Sequence, residues 1–308
     1  MRWTAEDIPK LDGKTILITG ANSGLGLDSA KALAKRGAHV VLACRTLAKA
    51  RSAEEAIRVE TPGAKLSSQA VDLADLGSVR AFAREVSASL PALDVLLNNA
   101  GVMAPPYMRT ADGFEMQFGT NHLGHFALTG LLFPLLSKTP GARVVTVSSM
   151  AHRIGTMRFD DPQWERGYSK WPAYGMSKLA NLLFGYELAR RCHIAGIPLK
   201  SVVAHPGYSS TNLQLRGAEL AQNKLSRWAS GVFTPLVAQP SWRGALPQLY
   251  AAVADGVSSG DFIGPDGFYE VRGYPKKSRS SARSRDPQDM KRLWELSEQL
   301  TGVHFGLL

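Results

Sequence analysis

Short runs of aliphatic residues alternate along the chain with longer stretches in which apolar positions recur at helical spacing. The runs are rich in Val, Ile and Leu and too short for typical helices, so they predict buried strands. We place these strands at 15–18, 39–45, 65–71, 93–97, 143–147, 199–204 and 262–264.

The longer stretches predict helices at 27–36, 49–59, 78–89, 112–136, 174–188, 242–253 and 287–300. Asp286 suits the N-cap of the last helix, Pro287 its first position and Gly302 its end. Strands that alternate with helices at this rhythm predict an α/β fold with one parallel sheet covered on both faces. A ligand of such a sheet binds at the carboxyl ends of the strands.

Three stretches lack this rhythm. The stretch 150–173 contains several Trp, Tyr and Pro residues, and we interpret it as an active-site loop. The stretch 212–238 is a poorly periodic insert. The run 275–285 is serine-rich and linker-like, and its cations fit an exposed loop better than a nucleic-acid or membrane patch. These cations are Lys276, Lys277, Arg279, Arg283 and Arg285.

The composition indicates a soluble protein of the cytoplasm. The chain has 308 residues, 44% of them hydrophobic, and a net charge of +10, which fits an anionic ligand. Its two cysteines are too few for a disulfide framework. No segment is apolar enough to span a membrane, and residues 1–7 show no signal core. We expect no nucleic-acid partner and no metal; His122 and His125 fit packing better than a metal pair.

A glycine-rich turn follows the first predicted strand, at Thr19–Gly26, and leads into a helix. Glycines allow the backbone to approach a phosphate, and a helix N-terminus offers free N–H groups to it. Such turns also join strands to helices for structural reasons alone. A nucleotide site is therefore the favoured interpretation, and the residues that follow strengthen it.

The end of the second strand indicates which dinucleotide binds. An acidic residue there selects NAD, but no Asp or Glu occurs from Ser29 to Ala53. Arg45 ends the strand instead, and Lys49 follows one helical turn later. Because cations favour a 2′-phosphate, we predict NADP(H) as the cofactor.

Polar and small residues also follow other predicted strands, and Tyr174 and Lys178 are four residues apart, on one face of a helix. Taken one by one, these signals are weak. Their combination resembles the short-chain dehydrogenases/reductases over about residues 12–265. The motifs that carry the resemblance are Thr19–Gly26, Asp72, Asn98–Gly101, Asn121, Ser149, Tyr174 with Lys178, and Pro206-Gly207.

Residues 43–45, 121–126, 148–152 and 177–181 further resemble the retinol-dehydrogenase-like branch, which is also similar to the light-dependent protochlorophyllide reductases. The resemblance implies a doubly wound, Rossmann-type sheet within a single domain over 1–308. The core would span about 12–265, and a C-terminal helical extension 266–308. It also implies a homodimer or homotetramer that pairs helices 112–136 and 174–195, although the extension could block one interface.

The resemblance assigns catalytic roles. Tyr174 would transfer the proton. Lys178, together with the positive nicotinamide ring of the oxidised cofactor, would lower the tyrosine pKa, and Lys178 would also hold the nicotinamide ribose. Ser149, rather than its neighbour Ser148, would bond the substrate oxygen, and Asn121 would support a water that leads to Lys178.

The cofactor-binding residues implied in the same way follow the cofactor from end to end. They are Gly20, Asn22, Ser23, Gly24, Leu25 and Gly26 at the pyrophosphate, Arg45 and Lys49 at the 2′-phosphate, Asp72 and Leu73 at the adenine, Asn99, Ala100 and Gly101 on the adenosine side, and Pro206, Gly207 and Thr211 at the nicotinamide, with Tyr174 and Lys178.

The expected function is interconversion of an alcohol and a carbonyl compound, with a lipophilic substrate because the loops at 150–173 and 208–240 are rich in aromatic and aliphatic residues. Two alternatives stay open. One is a non-catalytic NADP-sensing or scaffold protein on the same fold. The other is a reductase of a C=C bond, of the protochlorophyllide type.

Overall fold

Eight strands form one sheet in the computed structural model, which describes residues 2–209 and 239–307. The strand order is β3-β2-β1-β4-β5-β6-β7-β8, and neighbours are parallel except for β8, which runs antiparallel to β7. The strands are β1 Thr15–Thr19, β2 His39–Cys44, β3 Leu66–Ala70, β4 Val95–Asn98, β5 Arg143–Val147, β6 Lys200–Ala204, β7 Phe262–Pro265 and β8 Pro275–Lys277. The chain turns in opposite directions after β1 and after β4, and this reversal opens a crevice between them.

Helices cover both faces of the sheet, as the alternating pattern predicts. The helices are α1 Gly24–Lys35, α2 Leu47–Glu60, α3 Leu76–Ser89, α4 Gly124–Lys138, α5 Lys170–Ile194, α6 Leu246–Val253 and α7 Pro287–Thr301. Ile16 and Ile18 pack with α1, α2 and α6, whereas Leu17 points to the other face and packs with α3, α4 and α5. Every strand of the centre is therefore buried on both faces, which explains its continuous apolar sequence.

The helix predicted at 112–136 differs in the structure. Gly113 has a φ of +85°, which closes a tight turn and cannot continue a helix. The buried Glu115 carboxylate then accepts the backbone N–H groups of Gln117 and Phe118, at 3.0 and 2.7 Å, and so caps a short helical turn. A π-helical turn, Gly119–Leu123, follows before α4 begins. Such turns are frequent at functional sites.

Two further expectations need correction. Helix α5 begins at Lys170 and not at Tyr174, so the tyrosine lies in its second turn. The basic run 275–285 is not a linker: it contributes β8, and Arg283 Nη1 donates to Gly155 O and Thr156 Oγ1 over 3.1 and 3.0 Å. Its cations are nevertheless exposed, as predicted. Partners far away in the sequence hold this segment.

The C-terminal segment packs on α4 and α5. Trp294 of α7 is fully buried among Phe126, Phe184 and Phe305. A side chain at Gly130 would come 2.6 Å from Val303 and 2.8 Å from Phe305, so the tail lies directly on α4. One chain thus buries most of α4 and α5.

No helix among the described residues has both the length and the apolar character that a membrane crossing requires.

Candidate active site

The glycine-rich turn leaves the carboxyl end of β1 and begins α1. Gly20 and Gly24 have φ values of +68° and +52°, which favour glycine. A Cβ at Gly26 would lie 2.4 Å from the carbonyl oxygen of Gly20, so this position has no room for a side chain. Ser23 is the N-cap of α1, but its side chain makes no capping hydrogen bond. The first N–H groups of α1 therefore stay available to an anion.

The turn after β4 is bound to the end of β1. The Thr19 hydroxyl accepts the backbone N–H groups of Asn99 and Ala100 over 2.9 and 3.0 Å. Asn99 Nδ2 donates to Thr19 O over 2.8 Å, and its Oδ1 accepts from Gln248 of α6 over 3.2 Å. Asn99 and Ala100 therefore shape the floor of the crevice. The sequence singled out Asn99 but gave no sign of Gln248, whose partners lie far away in the chain.

Arg45 and Lys49 lie beside the glycine-rich turn and are exposed. Neither forms an ion pair with a carboxylate of the described residues. Asn22, Ser23 and Lys49 line an open cavity of about 490 Å³ between the turn and α2. The site at the end of β2 is thus cationic and open to an anionic group.

Asp72 and Leu73 follow β3 at the same edge of the sheet. Asp72 is half-buried, and its Oδ1 accepts the N–H of Ala74 over 2.9 Å, which closes a turn. Leu73 is buried, and a side chain at Gly124 would come 2.4 Å from its carbonyl oxygen. Both residues lie at the carboxyl edge of the sheet, where the sequence predicted them. The side chain of Asp72 is already engaged in a hydrogen bond within the turn.

Tyr174, Lys178 and Ser149 meet at the carboxyl end of β5. Lys178 Nζ lies 5.8 Å from the centre of the Tyr174 ring and donates to Val147 O over 3.1 Å. The Ser149 side chain lies close enough to Tyr174 to act on its pKa, which it lowers. Ser148 points the other way and donates to Lys178 O over 2.7 Å. The two neighbouring serines therefore have different environments, and Ser149 is the one that faces the tyrosine.

Burial controls the protonation of this group. It raises the pKa of Tyr174 to about 12, against the opposing effect of Ser149. It lowers the pKa of Lys178 to about 8. The expected lowering of the tyrosine pKa by Lys178 is therefore not a property of the chain alone. Tyr174 is a protonated phenol at neutral pH, and most of Lys178 is an ammonium.

Asn121 lies in the π-helical turn and is fully buried. Its amide accepts from Val102 N over 2.7 Å and donates to Val102 O and Ser177 Oγ, each over 2.9 Å. A Cβ at Gly101 would lie 3.0 Å from Asn121 Oδ1 and 3.6 Å from Lys178 Nζ. Gly101 therefore keeps open the space in which Asn121 and Lys178 approach each other.

Pro206 and Gly207 follow β6 and close the site on the side away from β1. Gly207 has a φ of +66°, and a side chain there would come 2.4 Å from Val271 O. Its N–H donates to His205 Nδ1 over 3.3 Å, while His205 Nε2 lies 3.0 Å from Glu270. Thr211, the remaining residue predicted at the nicotinamide, lies outside the described residues.

Three buried histidines around the site were not predicted to belong to it. Burial lowers the pKa of His122 to about 3 and those of His125 and His152 to about 4, so all three rings are neutral. His152 Nδ1 bonds to Ser149 O over 2.7 Å. The sequence gave one signal that these histidines belong to the site: they lie within motifs typical of the retinol-dehydrogenase-like branch.

The sheet order and this arrangement of side chains define a dinucleotide-dependent dehydrogenase fold. The profile of the short chain dehydrogenase family matches residues 14–219. The chain therefore belongs to the short-chain dehydrogenases/reductases, and within them it is retinol-dehydrogenase-like. It is 41% identical to human retinol dehydrogenase 12, an alignment that covers 96% of this chain and 89% of that protein. Human retinol dehydrogenase 14 is 40% identical and covers 95% and 88% of the two chains.

Solved structures agree with the fold. An uncharacterised protein from Mycobacterium paratuberculosis superposes with a TM-score of 0.82 at 44% identity, over 100% of both chains. A short chain dehydrogenase from Shigella flexneri, solved with NADP, gives a TM-score of 0.63 at 24% identity, over 83% of this chain and 98% of that one. At that identity the second likeness concerns the fold alone.

Proposed function

We propose that the protein is an NADP(H)-dependent oxidoreductase that interconverts an alcohol and a ketone or aldehyde. One observation supports this most: Ser149, at the end of β5, converges with Tyr174 and Lys178 of α5 beside the Asn98–Gly101 turn. A protein that used this fold only as a scaffold would not need a buried phenol, a buried ammonium group and a hydroxyl at one point. This argues for the enzyme over a non-catalytic scaffold.

The residues of the crevice fit a dinucleotide. Gly20 and Gly26 carry no side chain into the crevice, and the uncapped start of α1 supplies donors for a pyrophosphate. Arg45 and Lys49, exposed and without a carboxylate partner among the described residues, fit a 2′-phosphate. These features support NADP(H) over NAD(H).

The mechanism follows from the protonation of the site. Bound NADPH would supply the hydride for reduction of a carbonyl carbon. Tyr174 Oη, a phenol in the chain alone, donates its proton to the substrate oxygen, and Ser149 Oγ hydrogen-bonds to that oxygen as negative charge develops. Lys178 holds positive charge near the tyrosine and favours the phenolate that remains.

In the cofactor-free chain, the protonation of Tyr174 matches the proton donor that reduction of a carbonyl compound needs. Oxidation of an alcohol needs Tyr174 as a base, but its pKa of about 12 leaves little phenolate. Reduction needs the acid form, which is present without any further charge.

A lipophilic substrate is the third part of the proposal. Trp171 is exposed, and its ring centre lies 6.3 Å from that of Tyr174 at an angle of 80°. Ile154 and Tyr208 are exposed as well. Retinol, the substrate in the names of the relatives, is itself a lipophilic alcohol. The insert 212–238 lies outside the described residues.

Any homodimer or homotetramer would form through a surface other than α4 and α5, because the chain's own C-terminal segment covers these helices. Light scattering during size-exclusion chromatography measures the mass of the particle in solution. Division by the 33.3 kDa of one chain gives the number of subunits. A location in the cytoplasm stays a prediction from composition.

One screen tests the proposal. Ketones, aldehydes and alcohols of graded hydrophobicity are offered with NADPH or NADP⁺, and with NADH or NAD⁺ in parallel, and the nicotinamide absorbance is followed. We expect turnover of a lipophilic carbonyl compound with NADPH, and weaker turnover with NADH. Saturable NADPH binding without turnover of any compound would favour the scaffold alternative, and light-dependent reduction of a bound pigment would favour the C=C reductase.

A further inference from the structure

The side chain of His152 connects Ser149 with the basic run 275–285. His152 is fully buried in the 3₁₀ turn Met150–Arg153, for which Ser149 is the N-cap. Its ring Nδ1 lies 2.7 Å from Ser149 O, and its Nε2 accepts the backbone N–H of Ser281 over 3.2 Å. One ring therefore joins the serine of the site to a residue 129 positions further along the chain.

The two partners of the ring require the same tautomer. Ser149 O is a carbonyl oxygen and can only accept, so Nδ1 must carry a hydrogen. The Ser281 N–H can only donate, so Nε2 must present its lone pair. The neutral ring with its hydrogen on Nδ1 meets both conditions. Burial lowers the pKa of His152 to about 4, which keeps the ring neutral.

The turn that contains His152 also holds the Ser149 hydroxyl. Ser149 O accepts the backbone N–H of His152 over 3.0 Å, so this residue supplies the carbonyl with a second hydrogen bond besides that of the ring. Ser149 Oγ accepts the backbone N–H of Ala151 over 3.2 Å, a bond that depends on the shape of the same turn. Because Oγ accepts from Ala151, its hydrogen stays available for a substrate oxygen.

The same turn lies in direct contact with the helix that carries the tyrosine. A Cβ at Gly155 would come 2.3 Å from Gly175 O, and a Cβ at Gly175 would come 2.8 Å from Ala151 O, so neither position has room for a side chain. Gly175 follows Tyr174 in α5. A change in the shape of the turn therefore changes the position of Ser149 relative to Tyr174.

The basic run 275–285 binds the turn at two points besides the histidine ring. Arg153 Nη2 donates to Arg279 O over 3.0 Å, and Arg283 Nη1 donates to Gly155 O over 3.1 Å. Both arginines are exposed, whereas the histidine ring is buried. Since exposed arginines keep much of their rotamer freedom, the buried ring is the connection that restricts the turn most.

We propose that His152 is a positioning residue for Ser149, and that the basic run 275–285 keeps it in this role through the backbone N–H of Ser281. The histidine acts through the turn: it holds the Ser149 carbonyl, and the turn then holds the Ser149 hydroxyl. The consequence for catalysis rests on the proposed function, whereas the placement of the hydroxyl does not. The C-terminal extension is thereby part of what shapes the site.

Two substitutions at His152 separate its hydrogen bond from its volume. Leucine fills much of the space but cannot donate to Ser149 O, whereas the Nδ2 of asparagine stands near the place of the ring Nδ1 and can donate. With the best carbonyl compound of the screen, His152→Leu should lower kcat about 10- to 100-fold, because the hydroxyl is misplaced, and His152→Asn should stay within about 3-fold of the wild type. The KM for NADPH should change little in either variant. Equal losses of kcat in the two variants, or a wild-type kcat in His152→Leu, would overturn the proposal.

A second pair of variants tests the part played by the basic run. Ser281 has a φ of −64°, which proline adopts without strain, so Ser281→Pro removes the N–H at a compatible backbone angle. Ser281→Ala is the matched control: it keeps the N–H and removes a hydroxyl that has no hydrogen-bond partner among the described residues. We expect kcat to fall about 3- to 10-fold in Ser281→Pro and to stay at the wild-type value in Ser281→Ala. The same kcat in both variants would show that the run does not hold the histidine.

Two readouts do not depend on turnover. ¹⁵N spectra of the wild-type protein report the tautomer of His152, and no variant has to fold for them; a hydrogen on Nδ1 is expected, and a hydrogen on Nε2 would overturn the proposal. Crystal structures of the wild type and of His152→Leu locate the Ser149 hydroxyl. We expect it to leave Ala151 N in the variant, and an unchanged hydroxyl would overturn the proposal. If the wild type turns over no compound, the proposed function fails, and these two readouts still decide whether His152 positions Ser149.

Discussion

The hydroxyl of Thr19 lies 2.9 Å from Nε2 of His125, and this contact joins the two halves of the site. Nδ1 of the same ring donates to Asn121 O, at 3.0 Å, because a carbonyl oxygen only accepts, and the neutral ring therefore accepts the hydroxyl hydrogen at Nε2. The Thr19 oxygen in turn accepts from the turn after β4. His125 therefore connects the turns after β1 and β4 with the π-helical turn.

Stability should fall steeply in mild acid. His125 has a folded-state pKa of about 4 against 6.5 when unfolded, so between these pH values the unfolded chain binds more protons. The free energy of unfolding therefore decreases as the pH falls through this window, by about 1.4 kcal/mol per pH unit for each such histidine. His122 and His152 act in the same direction.

Urea unfolding at a series of pH values checks this. His125→Gln should have a shallower pH dependence than the wild type, by about one proton. His193→Gln, at an exposed position near the end of α5, should keep the wild-type slope. An equal slope in all three proteins would contradict the assignment.

Tyr174→Phe should abolish most of the turnover and leave the protein folded. The substitution removes the proton donor from a buried site and adds no volume, so we expect kcat to fall about 10²- to 10⁴-fold. Binding of NADPH, followed by its fluorescence, should be nearly unchanged. Tyr186→Phe is the control on the same helix, since its hydroxyl bonds to Ser280 away from the site. Comparable activity of the two variants would show that Tyr174 is not the acid.

Arg45→Ala and Lys49→Ala should weaken NADPH more than NADH. Each removes a cation from the place expected for the 2′-phosphate, and at these exposed positions we expect the KM for NADPH to rise about 10-fold. Arg51→Ala serves as a control because Arg51 lies on α2 but outside the cavity that Lys49 lines. If the substitutions raised the KM for NADH as much as the KM for NADPH, these cations would not bind the 2′-phosphate.

Gly26→Ala should damage the cofactor site through the backbone. The added Cβ would lie 2.4 Å from Gly20 O and 2.7 Å from Asn99 Nδ2, so the turn itself must shift. We expect the free energy of unfolding to fall by about 1–3 kcal/mol. The affinity for NADPH should fall as well, and by a larger fraction of its wild-type value. Gly256→Ala, whose Cβ would have Tyr250 Oη at an ordinary 3.6 Å, should change neither. Thermal unfolding with and without NADPH distinguishes the two effects.

Much of the fold could be predicted because parallel strands buried on both faces leave a strong local pattern. The strands near Ile16, Val40 and Val144 were placed to within a few residues. The turn at Gly113 and the π-helical turn could not be foreseen, since the first depends on a backbone angle and the second on packing around Asn121. The basic run was misread because its partners, such as Gly155, come from elsewhere in the chain.

The site divides in the same way. Tyr174, Lys178 and Ser149 were predicted because their spacing and order resemble a known family. His122, His152 and Gln248 were missed because each contacts a residue that is distant in sequence. A buried neutral histidine has no local signature that separates it from any other histidine in a helix.

The cover that α7 and the tail place over α4 and α5 has a consequence for how the enzyme behaves on dilution. A segment of the same chain packs on these helices at any protein concentration, because its effective concentration is high. A segment of a second subunit would dissociate on dilution. Helix α5, which bears Lys178, and α4, which follows the π-helical turn of Asn121, thus keep their apolar cover in a single molecule. Specific activity should therefore be the same in a crowded cell and in a nanomolar assay.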